Sequence, residues 1–579
     1  MKRLRKYLLN LDIKDTTYKA IYQGAYAVTK AGIVYDKPGI KDAVSDPVYW
    51  QDDISYTIER SNKFNLDVPS ITISFPLSRL GIEGAYPGVF LSDYLLRQFS
   101  AYVAPLNEGL ENKARPVQEN GHFYLCDLSP VIVARNACRI VLKDGSQHVN
   151  MMILAQLPRK NHKKASKMLC KDLPGAVDQF IEAFDLDHLK RANQVYDQQE
   201  AIRDYLKTSP YCAFIANGSL LPRLSASNLP DPRGLAFESN PEDEIQVCDL
   251  RGLGIKKGVT VITGGGYSGK STLLDALGDG IYNHIMGDGR EFVITDETAV
   301  HISAEDGRAV NNVDISPYVK WLPKGSPKSF TTSHASGSTS QAANIVEALE
   351  AGNRVLLIDE DKSATNFMMR DGLMNQLIHN DPLVPFTDHV RDLYRTGGVS
   401  TILVVGSSSE YLAIADTVLM MANYRPANIN RQLKSIQLEH KTRSGQSLVY
   451  RPAERLLETQ AFTTYPSNQT KEYLEISDLG FLLLGNEQVD IRKLRGLVSK
   501  NQVTAIAFII RKLSVRSSIK DQVHLKEELD HLYDEISDHG IDFVYTSTFM
   551  CSRWLDLPRK QEVLFTINRM RHINFINPT

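Results

Sequence analysis

A glycine-rich segment constrains the fold of this chain more than any other feature. It reads Gly264-Gly265-Gly266-Tyr267-Ser268-Gly269-Lys270-Ser271 and satisfies the pattern G-x-x-x-x-G-K-[ST]. An apolar run at residues 259–262 precedes it and predicts a buried strand, and residues 271–277 after it have helical character. A strand, this loop and a helix in that order predict a parallel α/β sheet with a phosphate site at the carboxyl end of the strand.

The residue types in this loop suit a nucleotide. Glycines let backbone N–H groups surround a β-phosphate, and the positive end of the following helix points at the same group. Lys270 would bridge the β- and γ-phosphates, and the Ser271 hydroxyl would bind Mg²⁺. The expected ATP-binding residues are Gly264, Gly265, Gly266, Tyr267, Ser268, Gly269, Lys270, Ser271 and Thr272. A chance glycine-rich turn is the alternative, and both flanks disfavour it.

A second apolar run, residues 354–358, ends in two carboxylates. We expect Asp359 to support Mg²⁺ and Glu360 to act as the general base toward the attacking water, with Lys270 as a further catalytic residue. The alternative is an acidic end on an ordinary strand. The loop at Gly264–Ser271 makes the catalytic interpretation the better one, because the two patterns together complete a phosphoryl-transfer site.

Alternating strands and helices divide the chain of 579 residues into three predicted domains. Runs at 259–262, 292–295, 355–358 and 401–405 are short and apolar, as expected of strands in a parallel sheet. The prediction is an α+β domain at 1–164, an α/β ATPase domain at 165–452 and a small, mostly helical domain at 453–579. In the last domain we expect helices at 477–484, 490–497 and 523–537 and one strand at 505–510.

Composition limits the compartment and the partners. The chain has 66 Lys and Arg against 68 Asp and Glu, so a charged partner would need a local patch. Its six cysteines form no C-x-x-C pair, which fits reduced thiols, and no apolar run approaches the length of about 18 residues needed to span a membrane. We therefore expect a cytoplasmic protein without a membrane segment.

Between the two catalytic patterns lies Ala335-Ser336-Gly337-Ser338-Thr339-Ser340-Gln341, here called the signature loop, followed by a helical run at 342–349. It resembles the signature loop of ABC-type ATPases, in which a Ser-Gly pair at a helix N-terminus binds the γ-phosphate held by another subunit. That resemblance makes Ser336, Gly337 and Ser338 ligands in trans. Since the chain has one glycine-rich phosphate loop, it also implies a homodimer.

Longer stretches resemble the family catalogued as "predicted ATPase of the ABC class", a soluble, non-transporter group with its own N- and C-terminal domains. They are residues 264–274, 282–285, 287–291, 335–344 and 359–368, and the resemblance covers nearly the whole chain. It implies an ABC-type core with a mixed, largely parallel sheet that binds ATP and Mg²⁺.

Two departures from the common ABC pattern concern hydrolysis. Ser407 stands where a His usually contacts the γ-phosphate, and a hydroxyl donates a hydrogen bond but carries no charge. No Gln occurs between 271 and 340, so the usual Q-loop residue is missing, and Asp296 and Glu305 are the candidates to replace it. We expect Ser407 to be catalytic and turnover to be slow.

The partner is open to two interpretations. Two basic stretches favour a nucleic acid, RNA more than DNA, and their candidate contacts are Arg159, Lys160, Lys163, Lys164, Arg431, Lys434, Lys441 and Arg443. Near the end of the chain, Arg559, Lys560, Arg569 and Arg571 either extend this surface or cover a helix. The alternative is a slow, ATP-gated switch or scaffold for a protein partner.

Overall fold

The computed structural model describes most of the chain. The described residues are 1–10, 26–29, 32–35, 48–60, 68–110, 116–159, 161–224, 227–369, 380–406, 408–436, 455–462, 474–477, 479–484, 487–545 and 554–577. They form two compact units. The first contains 1–128, 132–193 and 536–557, and the second contains 129–131, 194–535 and 558–579. The domain boundaries expected at 164/165 and 452/453 stay predictions.

The first unit is α+β. Its helices are α1 (Lys2–Asn10), α2 (Gly88–Leu110), α3 (Val117–Asn120), α4 (His162–Lys167) and, after a π-helical turn, α5 (Leu173–Glu182). The strands up to residue 156 are β1 (Tyr26–Thr29), β2 (Gly32–Tyr35), β3 (Val48–Gln51), β4 (Ile54–Arg60), β5 (Pro69–Pro76), β6 (His122–Tyr124), β7 (Val131–Ile132), β8 (Cys138–Lys143) and β9 (Ser146–Gln156).

An antiparallel sheet in the order β3-β4-β5-β9-β6, with β8 also pairing with β9, organises the first unit. Alternating side chains of its strands point to one face, where Phe75 packs against Phe180 of α5. Phe180 in turn lies 5.5 Å from Phe99 of α2 between ring centroids. The two helices therefore cover this face and enclose an aromatic core.

Helix α6 (Leu186–Thr208) starts in the first unit and continues into the second, which holds the sheets that follow. Its strands up to residue 436 are β10 (Tyr211–Ala216), β11 (Glu244–Val247), β12 (Leu250–Lys256), β13 (Val259–Gly264), β14 (Asn283–His284), β15 (Val293–Thr295), β16 (Ala299–Ile302), β17 (Val310–Val313), β18 (Phe330–Thr332), β19 (Val355–Asp359), β20 (Ser400–Val404), β21 (Thr417–Ala422) and β22 (Arg425–Asn428). Its helices are α7 (Lys270–Asp279), α8 (Gly337–Glu350), α9 (Thr365–Met368), α10 (Val390–Gly397), α11 (Glu410–Ile414) and α12 (Asn430–Ser435).

A six-stranded sheet in the order β16-β19-β20-β13-β21-β22 forms the core of this unit. All neighbouring pairs are parallel except the last, β21 with β22. Strands β13, β19 and β20 are almost wholly buried, as their unbroken apolar runs require. The predicted α/β fold with a largely parallel sheet is confirmed.

One predicted strand lies in a different sheet. The run at 292–295 forms β15, which pairs antiparallel with β10 in the four-stranded sheet β11-β12-β10-β15. Its assignment to the parallel sheet was wrong because a buried apolar run has the same pattern in either kind of sheet.

The remaining elements lie beyond residue 455. They are β23 (Leu456–Glu458), β24 (Leu474–Ser477), β25 (Phe481–Leu484), β26 (Glu487–Asp490), α13 (Lys500–Ser517), β27 (Gln522–Val523), α14 (Leu525–His539), α15 (Lys560–Asn568) and β28 (Phe575–Ile576). Helix α14 confirms the helix expected at 523–537. The helices expected at 477–484 and 490–497 were wrong, because residues 481–484 form β25 and residues 491–497 after β26 form turns. The strand expected at 505–510 is part of α13. Helix α13 is buried on most sides, so its apolar run has no helical period. No helix among the described residues is long and apolar enough to cross a membrane.

Candidate functional site

The glycine-rich loop, called the P-loop below, joins β13 to α7 as the sequence predicts. Helix α7 begins at Lys270, so the loop ends where the backbone N–H groups of the first helical turn have no partner within the helix. The Nζ of Lys270 donates hydrogen bonds to the carbonyl oxygens of Gly264, at 2.7 Å, and Gly265, at 2.8 Å. Ser271 is exposed. The lysine thus folds back over the loop, and its ammonium lies inside the curve that a phosphate would enter.

Backbone geometry explains why two positions of the loop are glycine. Gly264 has φ of 144°, and a Cβ there would lie 2.4 Å from the carbonyl oxygen of Met421. Gly269 has φ of 98°, and its Cβ would lie 2.7 Å from the ring of Tyr424. Tyr267 is the exception, because it has φ of 57° with a fully exposed side chain. Such a conformation is unfavourable for a bulky residue.

The two carboxylates lie at the same end of the sheet as the P-loop. Strands β13 and β19 both pair in parallel with β20, which lies between them. Gly264 and Asp359 therefore end strands at the same edge of one sheet. Asp359 is 5% exposed, and its Oδ2 lies 3.3 Å from Nζ of Lys362. The Oε2 of half-buried Glu360 accepts a 2.7 Å hydrogen bond from the backbone N–H of Gly406, directly after β20.

The donor set suits Mg²⁺. The Ser271 hydroxyl, in the first turn of α7, and the Asp359 carboxylate, at the end of β19, are hard oxygen groups, and Mg²⁺ prefers one or two such protein ligands together with phosphates and water. The exposed Ser271 leaves room for the other ligands. The residues present therefore fit a magnesium nucleotide.

The signature loop forms the N-terminus of α8. Ser336 is the exposed N-cap residue, and its Oγ accepts a hydrogen bond from the N–H of Thr339 at 3.5 Å. Gly337 packs tightly, since a Cβ there would lie 3.1 Å from Oδ1 of Asp306 and 3.6 Å from Cβ of Ala364. Ser336, Gly337 and Ser338 thus stand at a helix end where backbone N–H groups attract an anion.

Gln341 links the signature loop to the segment after β19. Its Nε2 donates to Oγ of Ser363 at 3.0 Å, and its Oε1 accepts from the N–H of Ala364 at 2.8 Å. Ser363 in turn donates to the carbonyl oxygen of Asp359 at 2.8 Å. The sequence pattern places Gln341 in the signature loop but indicates no role for it. Its complete burial is a property of the tertiary structure.

Asp296 and Glu305, the candidates for the missing Q-loop residue, both accept hydrogen bonds from other side chains. Asp296 accepts hydrogen bonds from the N–H and the hydroxyl of Thr298, at 2.8 and 2.6 Å. Both carboxylate oxygens of Glu305 bind Arg569, at 2.6 and 3.1 Å. Burial raises the pKa of Glu305, but the charges of Arg569 and Arg308 outweigh it, so the pKa lies below its usual value. Glu305 is therefore part of an internal ion pair.

The predicted nucleic-acid contacts are partly described. Arg159 and Lys163 are exposed, whereas Lys164 is half-buried and donates to the carbonyl oxygen of Leu110. Arg431 and Lys434 lie exposed on α12. Lys160, Lys441 and Arg443 lie outside the described residues, as does the predicted catalytic Ser407.

Acidic residues pair with two arginines of the basic stretch that includes Arg425 and Arg431. Arg425 pairs with Glu238 at 2.5 Å, and Arg431 approaches Glu242 at 3.8 Å. These contacts lower the positive charge that Arg425 and Arg431 present to solvent.

Comparison with known families agrees with the site. A family model described as an ABC ATPase P-loop domain matches residues 185–454, and one described as the MRB1590 C-terminal domain matches residues 475–576. The uncharacterised protein MJ1628 of Methanocaldococcus jannaschii is 30% identical over 291 residues, 47% of this chain. The chain spans 63% of the length of this relative.

Solved ATP-binding cassettes of ABC transporters are also similar. MJ1267 in its ADP conformation is 16% identical, with a TM-score of 0.21 over 32% of this chain and 86% of its own. The cassette cbiO1 from Clostridium perfringens is 16% identical, with a TM-score of 0.26 over 40% of this chain and 92% of its own. Residues 185–454 thus match the P-loop domain of ABC ATPases, and the geometry of the site in this domain agrees with that match.

Proposed function

We propose that the chain binds and hydrolyses MgATP at two composite sites of a homodimer and couples this cycle to nucleic acid, RNA in the first place. One observation supports hydrolysis most directly. The P-loop and the carboxylates of Asp359 and Glu360 end strands that both border β20, so phosphate-binding and proton-accepting groups share one edge of the sheet.

The proposed chemistry follows from these residues. Lys270 and the N–H groups of the P-loop would hold the β- and γ-phosphates. Ser271 and Asp359 would hold Mg²⁺, which would supply positive charge to neutralise the phosphates. Glu360 orients a water and accepts its proton while the water oxygen bonds to the γ-phosphorus. The bond from the γ-phosphorus to the β–γ bridging oxygen breaks, and ADP and phosphate leave. Ser407 would donate a hydrogen bond to the γ-phosphate.

The dimer would bring the signature loop of one subunit to the P-loop of the other. The exposed Ser336 and the helix end behind it supply anion-binding groups. ATP should therefore dimerise the hydrolysis-deficient Glu360→Gln variant, and adding Ser336→Arg should prevent it. Ser518→Arg, on an exposed turn, is the matched control. Dimerisation that survives Ser336→Arg contradicts the composite site.

The proposed coupling to RNA is supported by exposed Arg159 and Lys163 in one unit and exposed Arg431 and Lys434 in the other. ATP turnover should be measured with single- and double-stranded RNA and DNA at low and moderate salt, with Glu360→Gln as the blank. Stimulation by RNA that weakens with salt supports the coupling. Slow turnover without stimulation by any nucleic acid favours the alternative, an ATP-gated switch for a protein partner.

A further inference from the structure

A buried network of charged and amide groups lies behind the signature helix α8. Ser340, Asn344 and Glu347 occupy one face of this helix, at the spacing that aligns side chains along it, and all three are buried. The opposing residues come from the loop at 303–308 and from the end of the chain at 568–571. From the sequence, the arginines of that segment were expected either on a basic surface or over a helix.

Arg569 links the segment after α15 to the loop at 303–308 and to α8. It directly follows α15, and its side chain is 6% exposed. Its guanidinium donates to both oxygens of Glu305, at 2.6 and 3.1 Å, and to Oδ1 of Asn344 at 3.3 Å. A planar fork with two donors fixes the orientation of its partner as well as its position.

The loop at 303–308, which Arg569 contacts through Glu305, is hydrogen-bonded to the signature loop. The N–H of Ala335 donates to the carbonyl oxygen of Arg308 at 2.9 Å, and the N–H of Gly307 donates back to Ala335 at 2.8 Å. The N–H of Glu305 also donates to Oγ of Ser340 at 2.9 Å. The residue before Ser336 is therefore hydrogen-bonded to the loop at 303–308, and Arg569 binds the carboxylate of Glu305 in that loop.

The same loop contacts the segment that follows the catalytic carboxylates. The N–H of Ala304 donates to the carbonyl oxygen of Lys362 at 3.1 Å. Arg308 adds a second buried pair, since it donates to both oxygens of Glu347 at 2.9 and 2.7 Å. One rigid junction thus joins the signature loop, the residues after Glu360 and the end of the chain.

We propose that Arg569 is a positioning residue, which places the signature loop for γ-phosphate binding and thereby makes ATP hydrolysis depend on the C-terminal region that contains it. The region matched by the MRB1590 C-terminal domain model, 475–576, includes Arg569. This inference rests on the proposed function, because the signature loop has a catalytic task only in the composite site.

The expected effect separates hydrolysis from nucleotide binding. Arg569→Met should lower kcat by about tenfold to a hundredfold, because displacement of a catalytic group by about 1 Å has an effect of this size. The Kd for ATP of the single subunit should stay unchanged, because the P-loop makes no use of Arg569. Arg233→Met is the matched control, since the exposed Arg233 makes the same kind of forked pair with both oxygens of Asp231.

A second variant excludes a purely structural role. Arg569→Met leaves the Glu305 carboxylate buried without its arginine fork, which destabilises the protein whatever its function. Adding Glu305→Gln removes that charge and should restore thermal stability without restoring kcat. Recovery of kcat together with stability, or an ATP Kd that weakens in parallel with kcat, overturns the positioning role.

Measurements on the wild-type protein separate a failure of the proposed function from a failure of the role assigned to Arg569. Absence of ATP turnover and of ATP-dependent dimerisation in the wild type contradicts the proposed function itself. Normal wild-type turnover with an unchanged kcat in Arg569→Met contradicts only the role of Arg569.

Discussion

The Oε2 atom of Glu360 accepts a hydrogen bond of 2.7 Å from the backbone N–H of Gly406. This bond joins the residue after β19 to Gly406, the second residue after β20. It holds the carboxylate at the edge of the sheet where β13 ends and the P-loop begins. A main-chain donor thus fixes the place of the carboxylate that we propose as the general base.

Replacement of Glu360 by Gln should lower kcat by about 10²- to 10⁴-fold, the usual contribution of a positioned general base. Gln has the same shape and retains an acceptor for Gly406, so ATP should still bind. Steady-state phosphate release and equilibrium binding of a fluorescent ATP analogue measure the two effects. Glu242→Gln, at an exposed carboxylate, is the control. Wild-type turnover in Glu360→Gln would disprove the assigned role.

Replacement of Lys270 by Ala should weaken ATP binding by about 10- to 100-fold, since a charge-assisted hydrogen bond contributes about 1.5–3 kcal/mol. Among the described residues, the lysine side chain donates to two carbonyl oxygens of its own loop, those of Gly264 and Gly265, so the free energy of unfolding should change little. Binding is followed by titration with the fluorescent analogue, with exposed Lys328→Ala as the control. Equal affinity in both variants would contradict the phosphate site.

Replacement of Gln341 by Met should lower the free energy of unfolding by about 1–3 kcal/mol. The change removes hydrogen bonds to Ser363 and Ala364 and leaves a main-chain N–H without its partner. Urea denaturation measures the loss, with exposed Gln432→Met on α12 as the reference. Because Gln341 also orients the segment after Asp359, kcat should fall as well; unchanged stability and turnover would show that the link is dispensable.

The pair of Glu305 and Arg569 predicts a pH dependence. Burial raises the pKa of Glu305, but the neighbouring arginines lower it more, so the folded pKa lies below the ordinary value of 4.5. The stabilisation is therefore complete above 4.5 and is lost as the pH falls through the folded pKa. Melting temperatures from about pH 6 to about pH 3 should decline less steeply in Glu305→Gln than in the wild type. Parallel declines would exclude this carboxyl as a contributor.

Local sequence was enough to predict the P-loop and its flanks. The signals for β13 and for the start of α7 lie within a few residues of each other: an apolar run, glycines at 264 and 269, and a helical run. No distant contact was therefore needed to predict these elements. The same holds for the strand that ends at Asp359 and for α8 after the signature loop. Short-range pattern and backbone geometry determine these elements.

Other assignments depended on partners that are distant in sequence. The run at 292–295 joined an antiparallel sheet because β10 was its neighbour, and the run at 505–510 became helical inside a buried helix with no polar face. Burial of Arg569 likewise required Glu305, which lies 264 positions away.

The sequence by itself thus determined the P-loop and the carboxylates of the proposed nucleotide site, because both are encoded in contiguous patterns whose geometry follows from local backbone preferences. Only the tertiary structure decided which charges face solvent and which are buried in pairs. An arginine has the same local pattern in both settings, and the difference arises when a carboxylate from another element replaces water around its guanidinium.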